Sequence, residues 1–193
     1  MTMPDLDHDL TGKLLIAMPG MEDPRFAGAV VLLCVHDPGQ AMGLIINKPI
    51  EDITFTEMME QLDIPRRGGV APTLPVCFGG PVEMRRGFVL HSSDYGPRGE
   101  DGLRISPRFA MTATLDILED IAGGRGPHHA LLALGYAGWG AGQLEAEIAR
   151  NDWLTADATP ELVFDNRLER KWEAAIESLG IHPMALSSEA GRA

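Results

Sequence analysis

The segment Ala29-Val30-Val31-Leu32-Leu33-Cys34-Val35 consists almost entirely of β-forming residues and shows no alternation with polar residues. This pattern is typical of a strand that is buried on both faces. The turn sequence Asp37-Pro38-Gly39-Gln40 follows, and then a second apolar run, Met42-Gly43-Leu44-Ile45-Ile46. The two runs therefore predict a β-hairpin with a four-residue loop.

Shorter apolar runs on both sides of this hairpin predict further strands at 13–18, 76–78, 87–91, 103–105, 129–135 and 153–156. Helical patterns occur at 54–62, where a capping-box sequence begins the helix, and at 114–122, 143–150 and 166–179. Hairpins precede interspersed helices, an order typical of an α+β fold. We predict a mostly antiparallel or mixed sheet that curls into a partly closed barrel and is flanked by helices.

Length and charge restrict the classes of protein that this sequence can form. The 193 residues carry a formal net charge of −12. We predict a flexible acidic N-terminus at 1–9 and a single domain at 10–193, since one domain takes roughly 150 residues. The longest apolar run is far shorter than the about 20 residues of a membrane-spanning helix. The N-terminus does not resemble a signal peptide, so we expect a cytoplasmic protein without a membrane partner. Cys34 and Cys77 lie in apolar runs and are expected to be free core thiols.

A glycine-rich segment, Gly135-Tyr136-Ala137-Gly138-Trp139-Gly140-Ala141-Gly142-Gln143, separates a predicted strand from a predicted helix. Such a turn can aim backbone amides at an anion beside the start of the helix. The spacing matches neither the dinucleotide-binding fingerprint nor the P-loop. The structural alternative is that the glycines allow strand and helix to pack closely. Trp139 would then either fill a gap in the core or be displayed for binding.

Candidate acid and base groups are His36 and His91, each at the end of a predicted strand, although such histidines also serve as hydrogen-bonded structural residues. The run His91-Ser92-Ser93-Asp94 contains the residue types of a hydrolase triad, but it lacks a Gly-x-Ser-x-Gly elbow. His128 and His129 would point to opposite faces of a strand and cannot easily share a metal. We therefore predict no catalytic set, no metal site and no cofactor.

Paired arginines, Arg66-Arg67 and Arg85-Arg86, are suited to carboxylate or phosphate contacts, but they also occur in ordinary solvated loops. The sequence contains no helix-turn-helix, zinc-finger or basic-stripe pattern. A net charge of −12 opposes the approach to nucleic acid. Direct nucleic-acid binding is therefore not expected.

Several phrases occur together in the sequence: Leu14–Met18 with Pro19, Ala41–Pro49, Gly79–Val82, Arg86–His91, Gly135–Trp139, and Ala141–Glu145 with Trp153-Leu154. In this combination the chain resembles the YqgE/AlgH family of bacterial proteins, collinearly from about residue 10 to residue 190. The resemblance implies a compact α+β fold with a curled, barrel-like sheet in a cytosolic protein. Members are often described as transcriptional regulators, by extension from a role in alginate control. The resemblance implies no established reaction and no catalytic or metal-binding set.

We predict a non-catalytic cytoplasmic binding or regulatory protein that acts through a protein partner or a small ligand. The predicted binding residues are Asn47, Gly79, Gly80, His91, Tyr136, Gly138, Trp139, Gly140 and Gln143. One alternative is an enzyme or cofactor binder that uses the segment 135–143 with a strand-end histidine. The other is a DNA-binding transcriptional regulator. The many methionines and glycines are compatible with a homodimer.

Overall fold

A nine-stranded sheet organises the protein, whose computed structural model describes residues 9–66, 73–96 and 102–186. The strands are β1 Lys13–Ala17, β2 Val30–Asp37, β3 Gln40–Ile45, β4 Val76–Phe78, β5 Val82–Ser92, β6 Gly102–Arg104, β7 Phe109–Thr112, β8 Ala130–Gly140 and β9 Trp153–Asp157. Their order is β6-β7-β5-β8-β3-β2-β1-β9, and β4 lies beside β8. Within the described ranges, every strand pair is antiparallel except β4–β8.

Five α-helices accompany the sheet in the described part of the chain. They are α1 Phe55–Gln61, α2 Leu115–Ala122, α3 Gln143–Ala149, α4 Pro160–Val163 and α5 Lys171–Ser178. Short 3-10 turns occur at Leu168–Arg170 and Pro183–Ala185. The sheet curls into a half-barrel, so the predicted α+β class and the curled, mostly antiparallel sheet are confirmed.

Alternate residues of the central strands enter different cores, which explains why these strands contain so few polar residues. Leu14 and Ile16 of β1 belong to one apolar cluster, whereas Leu15 and Ala17 belong to another. All four side chains are completely buried. Both faces of this part of the sheet are therefore covered, as the continuous apolar run of β2 predicts.

Helices cover the two faces of the sheet. On one face, Val163 of α4 and Ile176 of α5 join the cluster that contains Leu14. On the other face, α3 contributes Leu144 to a second cluster, and α1 and α2 pack against β5 and β8 in a third. The sheet is thus the middle layer between two sets of helices.

Local sequence patterns predict the start of the first helix correctly, but they predict the start of the last helix too early. Thr54 and Glu57 form the predicted capping box at α1, with the Glu57 amide donating to the Thr54 hydroxyl at 3.2 Å. The last helix is predicted at 166–179, but α5 begins at Lys171 after a 3-10 turn. Strand β7 and helix α4 are not predicted from the sequence. Cys34 and Cys77 are free and buried, as predicted.

Some predictions concern residues that the structure does not describe. The flexible N-terminus is predicted at 1–9, and of these residues only Asp9 lies within the described ranges. Arg67, one half of a predicted basic pair, also lies outside the described ranges. Across the described ranges, no helix combines the length and the apolar character that a bilayer crossing requires.

Strand β8 is the largest departure from the sequence prediction. The glycine-rich segment is predicted as a turn, but β8 continues through it to Gly140. The end of β8 pairs with β3, where Met42 lies opposite Gly138, and Tyr136 lies opposite Val82 of β5. Strand partners on both sides keep the segment extended despite its low β-propensity. The prediction of a turn in this segment is therefore wrong.

Gly135 interrupts the side-chain alternation of β8. Its φ of +74° lies in the left-handed region that favours glycine. Before it, Ala133 contacts the cluster that contains Leu14, while Leu134 packs on the opposite face. After it, Tyr136 faces the same side as Ala133. This irregularity therefore reverses the orientation of the residues at the end of β8.

A close backbone crossing holds Gly135 in place. A Cβ atom on Gly79 would overlap the Gly135 carbonyl oxygen, and a Cβ atom on Gly80 would overlap the Tyr136 carbonyl group. Gly80 also has a φ of +153°, which other residues rarely adopt. Only glycine fits at these two positions.

Helix α5 places one ammonium group inside the protein. The Lys171 Nζ donates to the carbonyl oxygens of Val163 at 2.6 Å and Ile46 at 3.0 Å, and the residue is only 2% exposed. Burial lowers the pKa of Lys171 to about 8, although Cys77 and Asp165 oppose the shift. Lys171 therefore connects α5 to α4 and to the end of β3.

Replacing Lys171 with methionine should change the pH dependence of stability. The folded-state pKa of about 8 lies below the ordinary value of 10.5, so the unfolded chain binds more protons between these values. The free energy of unfolding of the wild type, relative to Lys171→Met, should rise by about 1 kcal/mol from pH 8 to pH 9. Denaturant unfolding at constant ionic strength measures this difference. Parallel pH profiles for the two proteins would contradict the assignment.

Candidate functional site

Three segments that the sequence analysis singles out meet beside β8. The Ile45 amide donates to the Gly79 carbonyl at 2.9 Å, and the Phe78 amide donates to the Lys48 carbonyl at 2.8 Å. The Gly79 amide donates to the Leu134 carbonyl at 2.8 Å. The segments 47–49, 79–81 and 135–143 are thus joined by backbone contacts into one region.

Asn47 supports the backbone of this region rather than presenting its amide group to solvent. Its Oδ1 accepts from the Val30 amide at 2.8 Å, and its Nδ2 donates to the Gly28 carbonyl at 2.8 Å. The side chain thereby extends the hydrogen bonding at the start of β2 by one rung. Both of its polar ends are occupied, so Asn47 positions the neighbouring segment.

His91 is completely buried in β5. Its Nδ1 lies 2.8 Å from the Ser92 carbonyl oxygen, and its Nε2 lies 2.9 Å from the Thr112 hydroxyl. Since a carbonyl oxygen can only accept, Nδ1 carries the proton and Nε2 accepts from Thr112. Burial lowers the pKa of His91, although Ser92 and Asp94 oppose this effect. Burial therefore favours the neutral imidazole.

A cleft of about 530 Å³ lies against the end of β8, and we call it the Gly138 cleft. The reversal at Gly135 turns Tyr136 and Gly138 toward the side of β5 that carries Arg86 and Phe88. The cleft is lined by Val35, Gln40, Ala41, Met42, Val82, Arg86, Phe88, Met111, Tyr136, Gly138 and Trp139. Residues from five strands thus enclose one concave surface.

Aromatic rings and one cation dominate the chemistry of the Gly138 cleft. The rings of Phe88 and Tyr136 meet edge to face with centroids 5.9 Å apart. Arg86 is the one charged residue among the described residues that line the cleft, and its guanidinium lies 5.1 Å from the Phe88 ring centre. Its only described ion pair is a 3.4 Å contact with the exposed Glu83. A guanidinium is planar and carries several N–H donors, so it suits contacts with a carboxylate.

A second cavity of about 350 Å³ adjoins the cleft, and the two share Val82, Gly138 and Trp139. Three aromatic rings line it: the ring centroids of Trp139 and Trp153 are 6.0 Å apart, and Phe26 packs 5.8 Å from Trp153. The two tryptophans are only 6% and 2% exposed. Of the two roles considered for Trp139, the structure therefore shows that it fills the core, with one edge in the cleft wall.

Glu147 of α3 connects the elements behind the cleft. Its Oε2 accepts from the indole Nε1 of Trp139 and of Trp153, each at 2.9 Å, and its Oε1 accepts from Gln143 Nε2 at 3.0 Å. Gln143 in turn accepts the Gly140 amide at 3.0 Å. One carboxylate thus fixes α3 to β8 and β9.

A histidine–carboxylate pair links β2 to α3. His36 Nδ1 accepts from the Leu10 amide at 3.0 Å, so its Nε2 carries the proton and donates to Glu145 at 2.8 Å. Burial alone would raise the pKa of Glu145, but the bonds from His36 and from the backbone bring it below its ordinary value. Among the described residues, no histidine lines the Gly138 cleft or the adjoining cavity.

The triad-like residues near His91 do not form a catalytic relay. The Ser92 hydroxyl donates to Asp94 and accepts from the His129 amide at 3.1 Å. Asp94 also lies 3.2 Å from His128 Nδ1. The hydroxyl therefore bonds to the carboxylate, whereas a relay requires it to bond to the imidazole.

Comparison with known proteins identifies the family. Residues 14–184 match the family model for AlgH-like proteins, DUF179. The chain belongs to the AlgH-like family. A UPF0301 protein of Jannaschia sp. (strain CCS1) is 80% identical over 193 residues and is covered completely, as is this chain.

Two solved structures share this fold. The solution structure of the AlgH protein from Pseudomonas aeruginosa has a TM-score of 0.75 and 41% identity, and the match covers 100% of this chain and 99% of that one. The crystal structure of protein DIP2367 from Corynebacterium diphtheriae has a TM-score of 0.71 and 23% identity, covering 91% and 88%. The resemblance noted in the sequence is thus confirmed.

The structure of this AlgH-like chain divides the predicted binding residues into those that line a cavity and those that do not. Four of them, Tyr136, Gly138, Trp139 and Gln143, line the Gly138 cleft or the adjoining cavity. The other five, Asn47, Gly79, Gly80, His91 and Gly140, are not among the described lining residues. Phe88 and Glu147 are not among the predicted binding residues, and Arg86 is predicted only as half of a basic pair. The spacing of Arg86 and Phe88, two residues apart in a strand, could have indicated that both face the same side of β5.

Gly138 occupies a strand position where the fold does not require glycine. A Cβ atom there would meet a Tyr136 ring carbon at 3.5 Å and a Val82 methyl at 4.0 Å, which are ordinary contacts. Its φ also lies outside the left-handed region. Glycine weakens a strand and often marks the approach of a ligand. The missing side chain keeps the Gly138 cleft open.

Alanine substitutions should separate the two kinds of glycine. Gly138→Ala should raise the free energy of unfolding by about 0.4–1 kcal/mol, because it restricts the unfolded chain without a clash. Gly80→Ala should lower it by about 3 kcal/mol or more, because the backbone crossing must open. Urea unfolding measures both values. Equal effects of the two substitutions would refute the distinction.

The Glu147 contacts predict a further stability difference. In Glu147→Gln, one oxygen is replaced by an amide nitrogen that cannot accept, so at least one of the three donors loses its partner. We expect a loss of about 2 kcal/mol in the free energy of unfolding and a change in tryptophan fluorescence. The exposed Glu173 on α5 provides the matched control, Glu173→Gln, which should change neither. A silent Glu147→Gln variant would show that the contacts contribute little.

Proposed function

We propose that this chain is a non-catalytic, cytoplasmic binding protein that takes a small aromatic carboxylate in the Gly138 cleft. The observation that carries the proposal is the open position at Gly138 between aromatic walls and Arg86. The flat, apolar rings of Phe88 and Tyr136 would contact the ligand ring, and the Arg86 guanidinium would pair with its carboxylate. The volume of about 530 Å³ lies within the about 300–1,000 Å³ range of small-ligand sites.

The proposal assigns the cleft to binding rather than to catalysis. The two candidate acid–base groups, His36 and His91, have both ring nitrogens engaged in hydrogen bonds. Neither is among the described residues that line the cleft. A regulatory role would then follow from ligand occupancy, which would stabilise the contacts of β8 with β3 and β5.

Direct DNA binding receives no support from the described surface. Five of the ten arginines in the described ranges are already paired with nearby carboxylates. These pairs are Arg25–Asp23, Arg66–Glu60, Arg125–Asp120, Arg150–Asp152 and Arg167–Asp165, at 2.6–3.3 Å. Phosphate would have to displace these carboxylates in a protein of net charge −12.

Titration with 2-naphthoate, followed by ¹H–¹⁵N NMR, tests the proposal. We expect progressive shifts of the Gly138 amide and the Trp139 indole N–H in the wild type. Gly138→Val should weaken binding at least tenfold, because its methyl groups would occupy the cleft. Arg86→Met should weaken it by a similar factor, because it keeps the apolar stem and removes the charge.

Gly87→Val is the matched control, because Gly87 is also a strand glycine but lies outside the Gly138 cleft. It should bind 2-naphthoate like the wild type. Absence of wild-type binding, or equal binding by Gly138→Val and Gly87→Val, would refute the proposal. Denaturant unfolding of each variant verifies that it is folded.

A further inference from the structure

Strand β5 presents a second arginine and a second glycine on its other face. Arg86 and Phe88 line the Gly138 cleft. Arg85, Gly87 and Val89 alternate with them and line a separate cavity of about 490 Å³ beside α1 and α2. We call this cavity the Gly87 cleft. The two clefts share no lining residue.

The walls of the Gly87 cleft are aliphatic. Leu132 and Leu134 of β8 form its floor, and Met58 and Leu118 of α1 and α2 form its sides. No aromatic ring is among the described lining residues, in contrast to the Gly138 cleft. Such walls suit a flexible hydrocarbon chain rather than a planar ring, because aliphatic groups offer no stacking surface.

Exposed apolar side chains surround the opening. Leu62, Met84 and Leu115 are 40%, 59% and 53% exposed, and all three line the Gly87 cleft. They are three of the five large apolar residues that are exposed in the described part of the chain. Exposed apolar groups concentrated around one cavity indicate a surface that is covered in use.

Gly87 resembles Gly138 in that a side chain would fit at its position without a clash. A Cβ atom on Gly87 would lie 3.7 Å from Leu132 Cδ1 and 3.8 Å from Leu134 Cδ2, which are ordinary contact distances. Its φ is outside the left-handed region. The glycine therefore enlarges the cleft directly above its apolar floor.

The polar residues of the Gly87 cleft indicate which charged group it can bind. Arg85 is the one charged residue among the described residues that line the Gly87 cleft. Unlike Arg86, it has no carboxylate within 4.0 Å in the described ranges. Gln61, Thr112 and Thr114 provide the remaining polar groups. A single unpaired guanidinium at an apolar cavity complements a single carboxylate.

We propose that the Gly87 cleft binds a free medium-chain aliphatic carboxylate. Its hydrocarbon chain lies over Gly87 between α1 and α2, and its carboxylate pairs with Arg85. The bounded volume limits the chain length, and the single cation matches a free fatty acid rather than a phospholipid. This site is independent of the Gly138 cleft, because the two are on opposite faces of β5 and differ in wall chemistry.

Titration with decanoate, below its micellar concentration, tests the proposal by ¹H–¹⁵N NMR and calorimetry. We expect shifts at Val89, Leu115 and Leu118 and little change at Gly138. Decan-1-ol, which has the same chain without the charge, should bind at least tenfold more weakly. Arg85→Met should also lose at least tenfold, and its exposed position makes misfolding of this variant a minor concern.

Substitutions at the other cleft provide matched controls. Gly87→Val should weaken decanoate binding at least tenfold, whereas Gly138→Val and Arg86→Met should leave it unchanged. The pattern is the reverse of that expected for 2-naphthoate, so the two sites succeed or fail separately.

Three results would overturn the proposal. The first is the absence of decanoate binding to the wild type. The second is equal binding by Arg85→Met and Arg86→Met. The third is sedimentation showing that wild-type chains self-associate and that Leu115→Glu abolishes this, because the cleft would then be covered by a second copy of the chain.

Discussion

The structure depends on one steric constraint, the backbone crossing of Gly79-Gly80 over Gly135-Tyr136. No side chain fits between these two segments. The crossing holds Gly135 in a left-handed conformation, and this conformation reverses the alternation of β8. Without the reversal, Tyr136 and Gly138 would face α3 instead of Arg86 and Phe88. The fold and the shape of the candidate site therefore have the same physical origin.

Buried polar groups make this arrangement specific. Glu147 joins two indoles and an amide, and Lys171 joins two carbonyl groups from different elements. Within the described residues, no buried side-chain nitrogen or oxygen lacks a hydrogen-bond partner. Satisfied polar contacts of this kind favour one packing arrangement over its alternatives. Glu147 thereby fixes Trp139 in the wall of the Gly138 cleft, which favours a preformed site.

Local sequence patterns correctly predict features that depend on neighbouring residues in the chain. The apolar run of β2 predicts burial on both faces, and the Thr54–Glu57 pair predicts the start of α1. The same reasoning failed for β8, because glycines that favour a turn in isolation become extended when strands pair on both sides. It also left the pair Arg85-Arg86 undecided between carboxylate or phosphate contacts and an ordinary solvated loop. Their separation onto two faces becomes visible only when β5 is known to be a strand between two cavities.

The predicted binding residues illustrate the same limit. Glycine and asparagine at unusual positions mark either a backbone that must approach closely or a space that must remain open. Gly80 and Asn47 belong to the first class, since their contacts are with the backbone. Gly138 belongs to the second, since a Cβ atom would fit there. Gly80 and Gly138 are the same residue type in the sequence, and only their three-dimensional contacts distinguish the two roles.

A crystal structure of the wild-type protein with 2-naphthoate tests directly whether the Gly138 cleft is a binding site. We expect density for the ring against Phe88 and Tyr136, within van der Waals contact of Gly138, and a carboxylate bonded to Arg86. Density for the ligand elsewhere on the protein, or an unliganded Gly138 cleft at saturating 2-naphthoate, would contradict the proposal.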